Sequence, residues 1–253
     1  MLLSEKMNFN FQGKRVLVTG AGKGIGRDLV KALVAAGAET FALSRTESDL
    51  VSLKNDLPTI TTIVCDLMDR DATEKAVSSC GAIDLLVNNA AIAICEPFLE
   101  ITPSSFQKHF RINVEATIQV SQIIARGMIE KKSGGSIVNV SSQASIVGLA
   151  DHTVYGASKA AIDQITRTMS LELGKHNIRV TAVNPTVVNT AMAKVGWSDP
   201  VKAGAMKAQI PLGRFAEVSE VVSVIMFLLS PASAMVSGSC IPIDGGCLGS
   251  LAL

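Results

Sequence analysis

The chain has 253 residues and carries a formal net charge of +1. Because a nucleic-acid partner needs a concentrated positive surface, this near neutrality argues against DNA or RNA as the main partner. Hydrophobic residues make up 48% of the chain and aromatic residues only 4%, so we expect an aliphatic core of the kind that surrounds a parallel sheet covered on both faces.

Strand-like and helical patterns alternate along the chain. Apolar runs predict strands at about 15–19, 40–43, 60–64, 83–87, 136–140, 178–183 and 240–243, with helical periodicity notably at 24–36, 104–131, 153–174 and 218–229. This alternation predicts right-handed βαβ units. We therefore expect an α/β fold, a Rossmann-type doubly wound parallel sheet of about seven strands with helices on both faces.

No linker or repeat divides the chain, so residues 12–253 are predicted to form a single domain after an N-terminal extension, residues 1–11. The least regular segment, at about 187–209, follows the sixth strand at the edge of the sheet where ligands bind. We interpret it as a substrate lid, with an ordinary surface loop as the alternative.

The cysteines and the apolar runs indicate where the protein works. Five cysteines without a C-x-x-C pair favour free thiols over disulfides or a metal site. The most apolar stretch, 221–229, is too short to cross a bilayer, and the N-terminus does not resemble a signal peptide. We expect a cytoplasmic protein with no membrane span and no bound metal.

A glycine-rich turn connects the first strand to the first helix. Gly20, Gly24 and Gly26 let the backbone turn tightly and approach a pyrophosphate, while the helix N-terminus, with Lys23 and Ile25, presents N–H groups to the anion. This position predicts a dinucleotide-binding catalytic domain. A glycine turn without a ligand is the alternative.

The end of the second strand predicts which dinucleotide is bound. The stretch Leu43-Ser44-Arg45-Thr46 has no acidic residue to accept hydrogen bonds from a ribose 2′-OH. Arg45 instead offers a guanidinium for a 2′-phosphate, and Lys23 adds a second positive charge. We therefore predict NADP(H) as the cofactor. The alternative is that Arg45 is an ordinary surface residue.

A tyrosine and a lysine four residues apart share one helix face. Lys159, together with the positive ring of oxidised nicotinamide, should favour the phenolate and lower the pKa of Tyr155, which can then act as general acid or base on a carbonyl. Ser142 can donate a hydrogen bond to the same carbonyl. Because Y-x-x-x-K alone is common by chance, the prediction of carbonyl reduction depends on Ser142 and the glycine turn as well.

The pattern Thr19-Gly-x-x-x-Gly-x-Gly26, together with Asn88-Asn89-Ala90, Ser142 and Tyr155-x-x-x-Lys159, resembles the short-chain dehydrogenase/reductase family over nearly the whole chain. The resemblance implies a fourth catalytic residue, Asn113, at a helix irregularity where it holds a water of the proton relay from Lys159. It also implies a homotetramer. Ala91 and Thr186 replace residues that are usually glycine in the family.

The predicted cofactor contacts follow the carboxyl ends of the strands, and the resemblance adds Val188 and Thr190 as contacts of the carboxamide. Asp66 is placed to accept a hydrogen bond from the adenine amino group, although Asp and Asn also cap such turns. The predicted set is Gly20, Lys23, Gly24, Ile25, Gly26, Ser44, Arg45, Thr46, Asp66, Leu67, Asn88, Ala90, Tyr155, Lys159, Pro185, Val188 and Thr190.

The predicted substrate contacts are Ser142, Gln143, His152, Tyr155 and Trp197. Gln143 and His152 are suited to sugar hydroxyls and Trp197 to closing the lid, although a helix cap and lid packing are the plainer interpretations. Similarity in 87–91, 97–100, 138–143, 184–188 and 197–200 to family members that reduce small ketoses and α-dicarbonyls with NADPH implies that activity. A reductase for a 3-oxoacyl thioester or a steroid, and a non-catalytic NADP(H) sensor, remain alternatives.

Overall fold

Seven parallel strands form one sheet in the computed structural model, which describes residues 9–249 apart from the side chains of residues 192, 194 and 195. The spatial order is β3-β2-β1-β4-β5-β6-β7. The predicted fold class is therefore confirmed. The strands are β1 (Arg15–Thr19), β2 (Glu39–Ser44), β3 (Thr61–Val64), β4 (Leu85–Asn88), β5 (Gly135–Val140), β6 (Ile178–Pro185) and β7 (Cys240–Ile243).

Helices cover both faces of the sheet. They are α1 (Gly24–Ala35), α2 (Glu47–Asp56), α3 (Arg70–Ser78), α4 (Pro103–His109), α5 (Ala116–Lys131), α6 (Thr153–Leu173), α7 (Ala191–Gly196), α8 (Pro200–Ala208) and α9 (Val218–Leu229). The helix expected at 104–131 is interrupted by a π-helical segment, Phe110–Glu115, between α4 and α5. Within residues 9–249, no helix combines the length and apolar character that a membrane crossing requires.

Alternate residues of each strand face opposite layers of aliphatic core. Val16 and Val18 of β1 pack in the layer that includes Leu29 of α1 and Ile225 of α9. Leu17, between them, packs on the other face in the layer that includes Val120 of α5. Both faces of the sheet are therefore buried in apolar core. This explains why the strands could be predicted from apolar runs in the sequence.

The N-terminal boundary differs from the predicted one. Phe11 is 2% exposed, packs within the same core layer as α1, and its N–H donates to the carbonyl of Ala36 at 2.8 Å. Phe9 stacks on Phe11 with ring centroids 6.3 Å apart. An extension that ends at residue 11 would cut into the core. Residues 1–8 of the predicted extension lie outside the described part of the chain.

The segment predicted as an irregular lid contains two short helices, α7 and α8. The Thr190 hydroxyl accepts from the N–H of Ala193 at the start of α7, and Asp199 accepts from the N–H of Val201 at the start of α8. The first N–H groups of a helix have no hydrogen-bond partner within the helix, and these two side chains supply one at the start of each helix. The helices escaped prediction because each is too short to show a clear period.

Candidate active site

The carboxyl ends of the strands border a cavity of about 880 Å³. The strand order reverses between β1 and β4. The connections that follow these two neighbouring strands therefore run to opposite faces of the sheet, which leaves a crevice between them. Most predicted site residues line this cavity: Gly20, Lys23, Gly24, Ile25, Ser44, Arg45, Thr46, Asp66, Leu67, Ala90, Ser142, Gln143, His152, Tyr155, Lys159, Pro185, Val188, Thr190 and Trp197. Gly26, Asn88 and Asn113 are not among the lining residues.

The glycine turn has the shape that a phosphate cradle needs. Gly24 has a φ of +54°, a left-handed conformation that strains other residues. At Gly26 an added Cβ would lie 2.4 Å from the carbonyl oxygen of Gly20, so only glycine lets α1 begin this close to the turn. The bare backbone at the helix N-terminus therefore fits a pyrophosphate. Gly26 contributes through this packing and does not face the cavity.

The turn is held by the end of β4. The Thr19 hydroxyl accepts from the N–H groups of Asn89 and Ala90 at 3.0 and 3.1 Å. The Asn89 side chain donates to the carbonyls of Thr19 and Gly20. Asn89, part of the Asn88-Asn89-Ala90 motif recognised in the sequence, therefore fixes the cradle and also lines the cavity.

Asn88 has a different position from the one predicted. Its side chain is buried and donates to Ser121 Oγ and Asn139 Oδ1, both at 2.9 Å. These bonds connect β4 to β5 and α5 beneath the cavity. The predicted contact with the cofactor was inferred from the position of Asn88 at the end of the strand. The pleat of the strand directs its side chain away from the cavity.

Positive charge borders one end of the cavity. Arg45 is exposed and, within residues 9–249, has no ion-pair partner. Lys23 is also exposed, but its Nζ lies 3.2 Å from Asp49 Oδ2, a surface pair that leaves much of its charge to solvent. Asp66 already accepts from the N–H of Met68 at 2.9 Å, which is the capping role left open above. Arg45 is thus the group best suited to a 2′-phosphate.

Ser142, Tyr155 and Lys159 meet at the inner part of the cavity. Lys159 is 3% exposed, and its ammonium donates to the carbonyl of Val140 at 2.7 Å and lies 5.7 Å from the centroid of the Tyr155 ring. Ser142 follows Val140 by two residues, and its hydroxyl accepts from the N–H of Ala144 at 3.1 Å. The hydroxyl, the phenol and the ammonium therefore border one space.

Burial governs the ionisation of these groups. The Tyr155 ring is half-buried, yet protein atoms surround the phenol closely enough for desolvation to raise its pKa, against an opposing hydrogen bond from Ser142. Burial also lowers the pKa of Lys159 to about 8, while the Asp163 carboxylate opposes that shift. The expected lowering of the Tyr155 pKa by Lys159 together with the positive nicotinamide ring of a bound cofactor stays a prediction. A protonated phenol is the form that a general acid requires.

Asn113 lies in the π-helical segment, so the helix irregularity implied by the resemblance is present. Its side chain is buried and bonds both the N–H and the carbonyl of Ile92, at 2.9 and 3.0 Å, and Ser158 Oγ at 3.0 Å. A π-helical turn is frequently found at functional sites. The observed bonds fix the loop after β4, and a role in proton transfer stays a prediction.

Unsatisfied polar atoms mark the remaining part of the cavity. Gln143 is 2% exposed, and neither its Oε1 nor the buried hydroxyl of Thr186 has a hydrogen-bond partner among the described residues. Both residues line the cavity. Because buried polar groups are normally paired, these two are suited to hydroxyls of a bound ligand.

Aromatic side chains complete the wall. His152 packs edge-on against Tyr155 with centroids 6.1 Å apart, and Trp197 packs edge-on against Phe215 at 5.9 Å. Trp197 thus lines the cavity and also packs against a small apolar cluster formed by Ala203, Met206, Ile210 and Phe215. Cys95 and Leu149 also line the cavity. No sequence motif pointed to either residue.

A dinucleotide cradle joined to a serine, tyrosine and lysine defines a class of oxidoreductases. Residues 14–200 match the family model described as short chain dehydrogenase. The chain belongs to the short-chain dehydrogenase/reductase family, and the resemblance found in the sequence is confirmed.

Named relatives narrow the comparison. The chain is 57% identical over 242 residues to an L-xylulose reductase of Mesocricetus auratus, with 96% of this chain and 99% of the relative covered. It is 51% identical to carbonyl reductase [NADPH] 2 of Sus scrofa, covering 96% and 100%. A solved gluconate 5-dehydrogenase of Burkholderia cenocepacia, in complex with NADP and tartrate, is 28% identical with a TM-score of 0.91 over 96% of this chain and 98% of that one.

A buried carboxylate influences the pKa of Lys159. Asp163 lies one helical turn after Lys159, is 4% exposed, and accepts from Asn184 Nδ2 at 3.1 and 2.9 Å. Asn184 also donates to the carbonyl of Ser142. The charge of Asp163 is the influence that raises the pKa of Lys159 against the effect of burial.

We expect Asp163→Asn to lower the pKa of Lys159 further below about 8. Since the lysine must be charged to stabilise a phenolate, the alkaline fall of kcat/KM for carbonyl reduction should move to lower pH. The measurement is kcat/KM as a function of pH. The control variant is Glu172→Gln, which removes an exposed carboxylate from the same helix. If kcat/KM falls at the same alkaline pH in Asp163→Asn as in the wild type and the control, Asp163 does not influence the pKa of Lys159.

Proposed function

We propose that this chain is an NADPH-dependent carbonyl reductase of the L-xylulose reductase type. It reduces small ketoses and α-dicarbonyls, such as L-xylulose to xylitol and diacetyl to its hydroxyketone. The observation that carries the proposal is the meeting of Ser142, Tyr155 and Lys159 in a cavity continuous with the glycine cradle. The names of the relatives support the same substrate class and cofactor.

The residues of the chain divide the chemistry among them. When bound, NADPH supplies the hydride. Ser142 donates a hydrogen bond to the substrate carbonyl and so stabilises the negative charge that develops on its oxygen. Tyr155 delivers its phenolic proton to that oxygen, and the Lys159 ammonium stabilises the phenolate that remains. Lys159 is also placed to hold the nicotinamide ribose.

Reprotonation of Tyr155 needs a path from solvent. We propose that Asn113 holds a water of this path. Its Oδ1 accepts one bond, from the N–H of Ile92, and an amide oxygen has a second lone pair to offer. The buried π-helical position supports this role.

The exposed hydrophobic surface and the family suggest an assembly. Phe98 and Leu99 are adjacent apolar residues that are 71% and 93% exposed, and a subunit contact would cover them. We propose a homotetramer that works in the cytoplasm on small molecules, without nucleic acid, with residues 12–253 acting as one domain together with Phe9 and Phe11, which pack in its core. The C-terminal residues 247–253 are apolar enough to be buried at a subunit contact, and residues 250–253 of this tail lie outside the described part of the chain.

The central test is Tyr155→Phe, which removes the proton donor and keeps the ring. We expect NADPH oxidation with L-xylulose and with diacetyl to fall about 100-fold or more, because general acid catalysis is lost. NADPH binding, measured by fluorescence titration, should stay within a few-fold of the wild type. Wild-type turnover in the phenylalanine variant would remove this tyrosine from the mechanism.

Cofactor choice is tested by Arg45→Asp. Loss of the charged hydrogen bonds to the 2′-phosphate should raise the Michaelis constant for NADPH about 10- to 100-fold, with a much smaller effect on that for NADH. Steady-state kinetics with both cofactors give the comparison, and Arg126→Asp provides a control at a position outside the cavity lining. Equal changes for the two cofactors would count against a phosphate contact.

Recognition of hydroxyls is tested by Gln143→Ala and His152→Ala. Each variant should lower kcat/KM for L-xylulose about 2- to 10-fold, as expected for one lost hydrogen bond, and affect diacetyl less because it carries no hydroxyl. The ratio of the two specificity constants is the readout. A uniform loss for both substrates would assign these side chains to structure.

A further inference from the structure

A thiol and an imidazole face each other in the wall of the cavity. Cys95 Sγ lies 3.5 Å from His152 Nε2, and both residues line the cavity. Cys95 is exposed, so small molecules can reach its sulfur. The proposed reduction uses neither this thiol nor the pairing.

The hydrogen bonds of His152 determine which ring nitrogen can act as a base. Nδ1 lies 2.5 Å from the carbonyl oxygen of Ala150. A carbonyl can only accept, so Nδ1 carries the proton of the neutral ring. Nε2 is left with its lone pair directed at the thiol of Cys95. This is the arrangement in which a base activates a nucleophile.

The loop that carries Cys95 is fixed on both sides. The N–H of Ile94 donates to His109 Nε2 at 3.0 Å, and the N–H of Glu96 donates to the carbonyl of Asp151 at 2.9 Å. The second bond ties the loop to the segment just before His152. The contact between sulfur and imidazole is therefore built into the backbone.

The surroundings favour a protonated thiol. Burial raises the pKa of Cys95, while the Lys202 ammonium opposes that shift and the Asp151 carboxylate adds to it. At neutral pH the sulfur therefore needs a base to react, and the Nε2 of His152 is in place to accept the proton.

The same cavity is built to hold an electrophile. His152 contacts the edge of Tyr155, the residue that protonates the substrate carbonyl, and the buried Gln143 Oε1 has no protein partner. In an α-dicarbonyl, each carbonyl withdraws electrons from the other, so its carbon is open to attack by a thiol. A ketose carbonyl has no such neighbour.

We propose that Cys95 and His152 form a site that captures α-dicarbonyls as reversible hemithioketals or hemithioacetals. The Sγ–C bond forms as the carbonyl π bond breaks. The thiol proton passes to Nε2 of His152 and then to the new alkoxide oxygen, so no oxidant or reductant is consumed. The inference deepens the proposed function, because it rests on α-dicarbonyls as substrates. Capture occupies the cavity and slows turnover when dicarbonyl is abundant.

The test is pulse labelling with iodoacetamide in the absence of NADPH, followed by mass spectrometry of the Cys95 and Cys240 peptides. Diacetyl should slow the labelling of Cys95, whereas butanone, with the same carbon skeleton and one carbonyl, should not. Cys240, which is half-buried and pairs with no histidine, serves as the internal reference. His152→Gln should slow Cys95 labelling about threefold or more, and the matched change His176→Gln should leave it unchanged.

Equal protection by butanone would show that occupancy without bond formation accounts for the effect, and would overturn the proposal. So would an unchanged labelling rate in His152→Gln. Because the labelling needs no cofactor, it gives its answer even if diacetyl reduction fails, and the two failures stay distinguishable.

Discussion

The hydrogen bond from the Lys159 ammonium to the carbonyl of Val140 joins the catalytic helix α6 to the end of strand β5. Ser142 lies two residues beyond Val140, and Tyr155 lies one turn before Lys159. This bond therefore connects the segment that carries the proposed carbonyl-binding serine to the helix that carries the proposed proton donor. Because the bond is buried, a shift of α6 would leave both the ammonium and the carbonyl unsatisfied, at a cost of about 1–3 kcal/mol or more.

A second connection runs through side chains. Asn184, at the end of β6, donates to the Asp163 carboxylate on α6 and to the carbonyl of Ser142 after β5. Three elements of the site are thus tied together beneath the cavity. The arrangement also supplies a buried negative charge near an ammonium that burial alone would tend to neutralise. Both the position and the protonation state of Lys159 consequently depend on Asp163.

Much of the fold was visible in the sequence because strands buried on both faces appear as uninterrupted apolar runs. The glycine turn and the Tyr155 to Lys159 spacing were equally visible, since both are local patterns that depend on a strand or a helix already assigned. What escaped prediction depends on tertiary packing. The inward turn of Asn88, the burial of Phe11 and the contact between Cys95 and His152 join residues far apart in the chain or depend on the pleat of a strand.

Burial also determines the protonation state of Tyr155 in the absence of a cofactor. A neighbouring ammonium was expected to lower its pKa, but the sequence does not show how strongly the surrounding protein desolvates the phenol. In the structure, desolvation of the phenol outweighs the opposing hydrogen bond from Ser142, so the pKa of Tyr155 is raised and the phenol stays protonated. For reduction this is the useful state, because the proton must be present on Tyr155 before the carbonyl can receive it.

The most direct measurement is a crystal structure of the chain with NADPH and a substrate analogue that carries a carbonyl. The hydroxyls of Tyr155 and Ser142 should both lie within about 3 Å of the carbonyl oxygen, with Lys159 still bonded to Val140. A carbonyl bound elsewhere in the cavity, with the phenol directed away from it, would contradict the account.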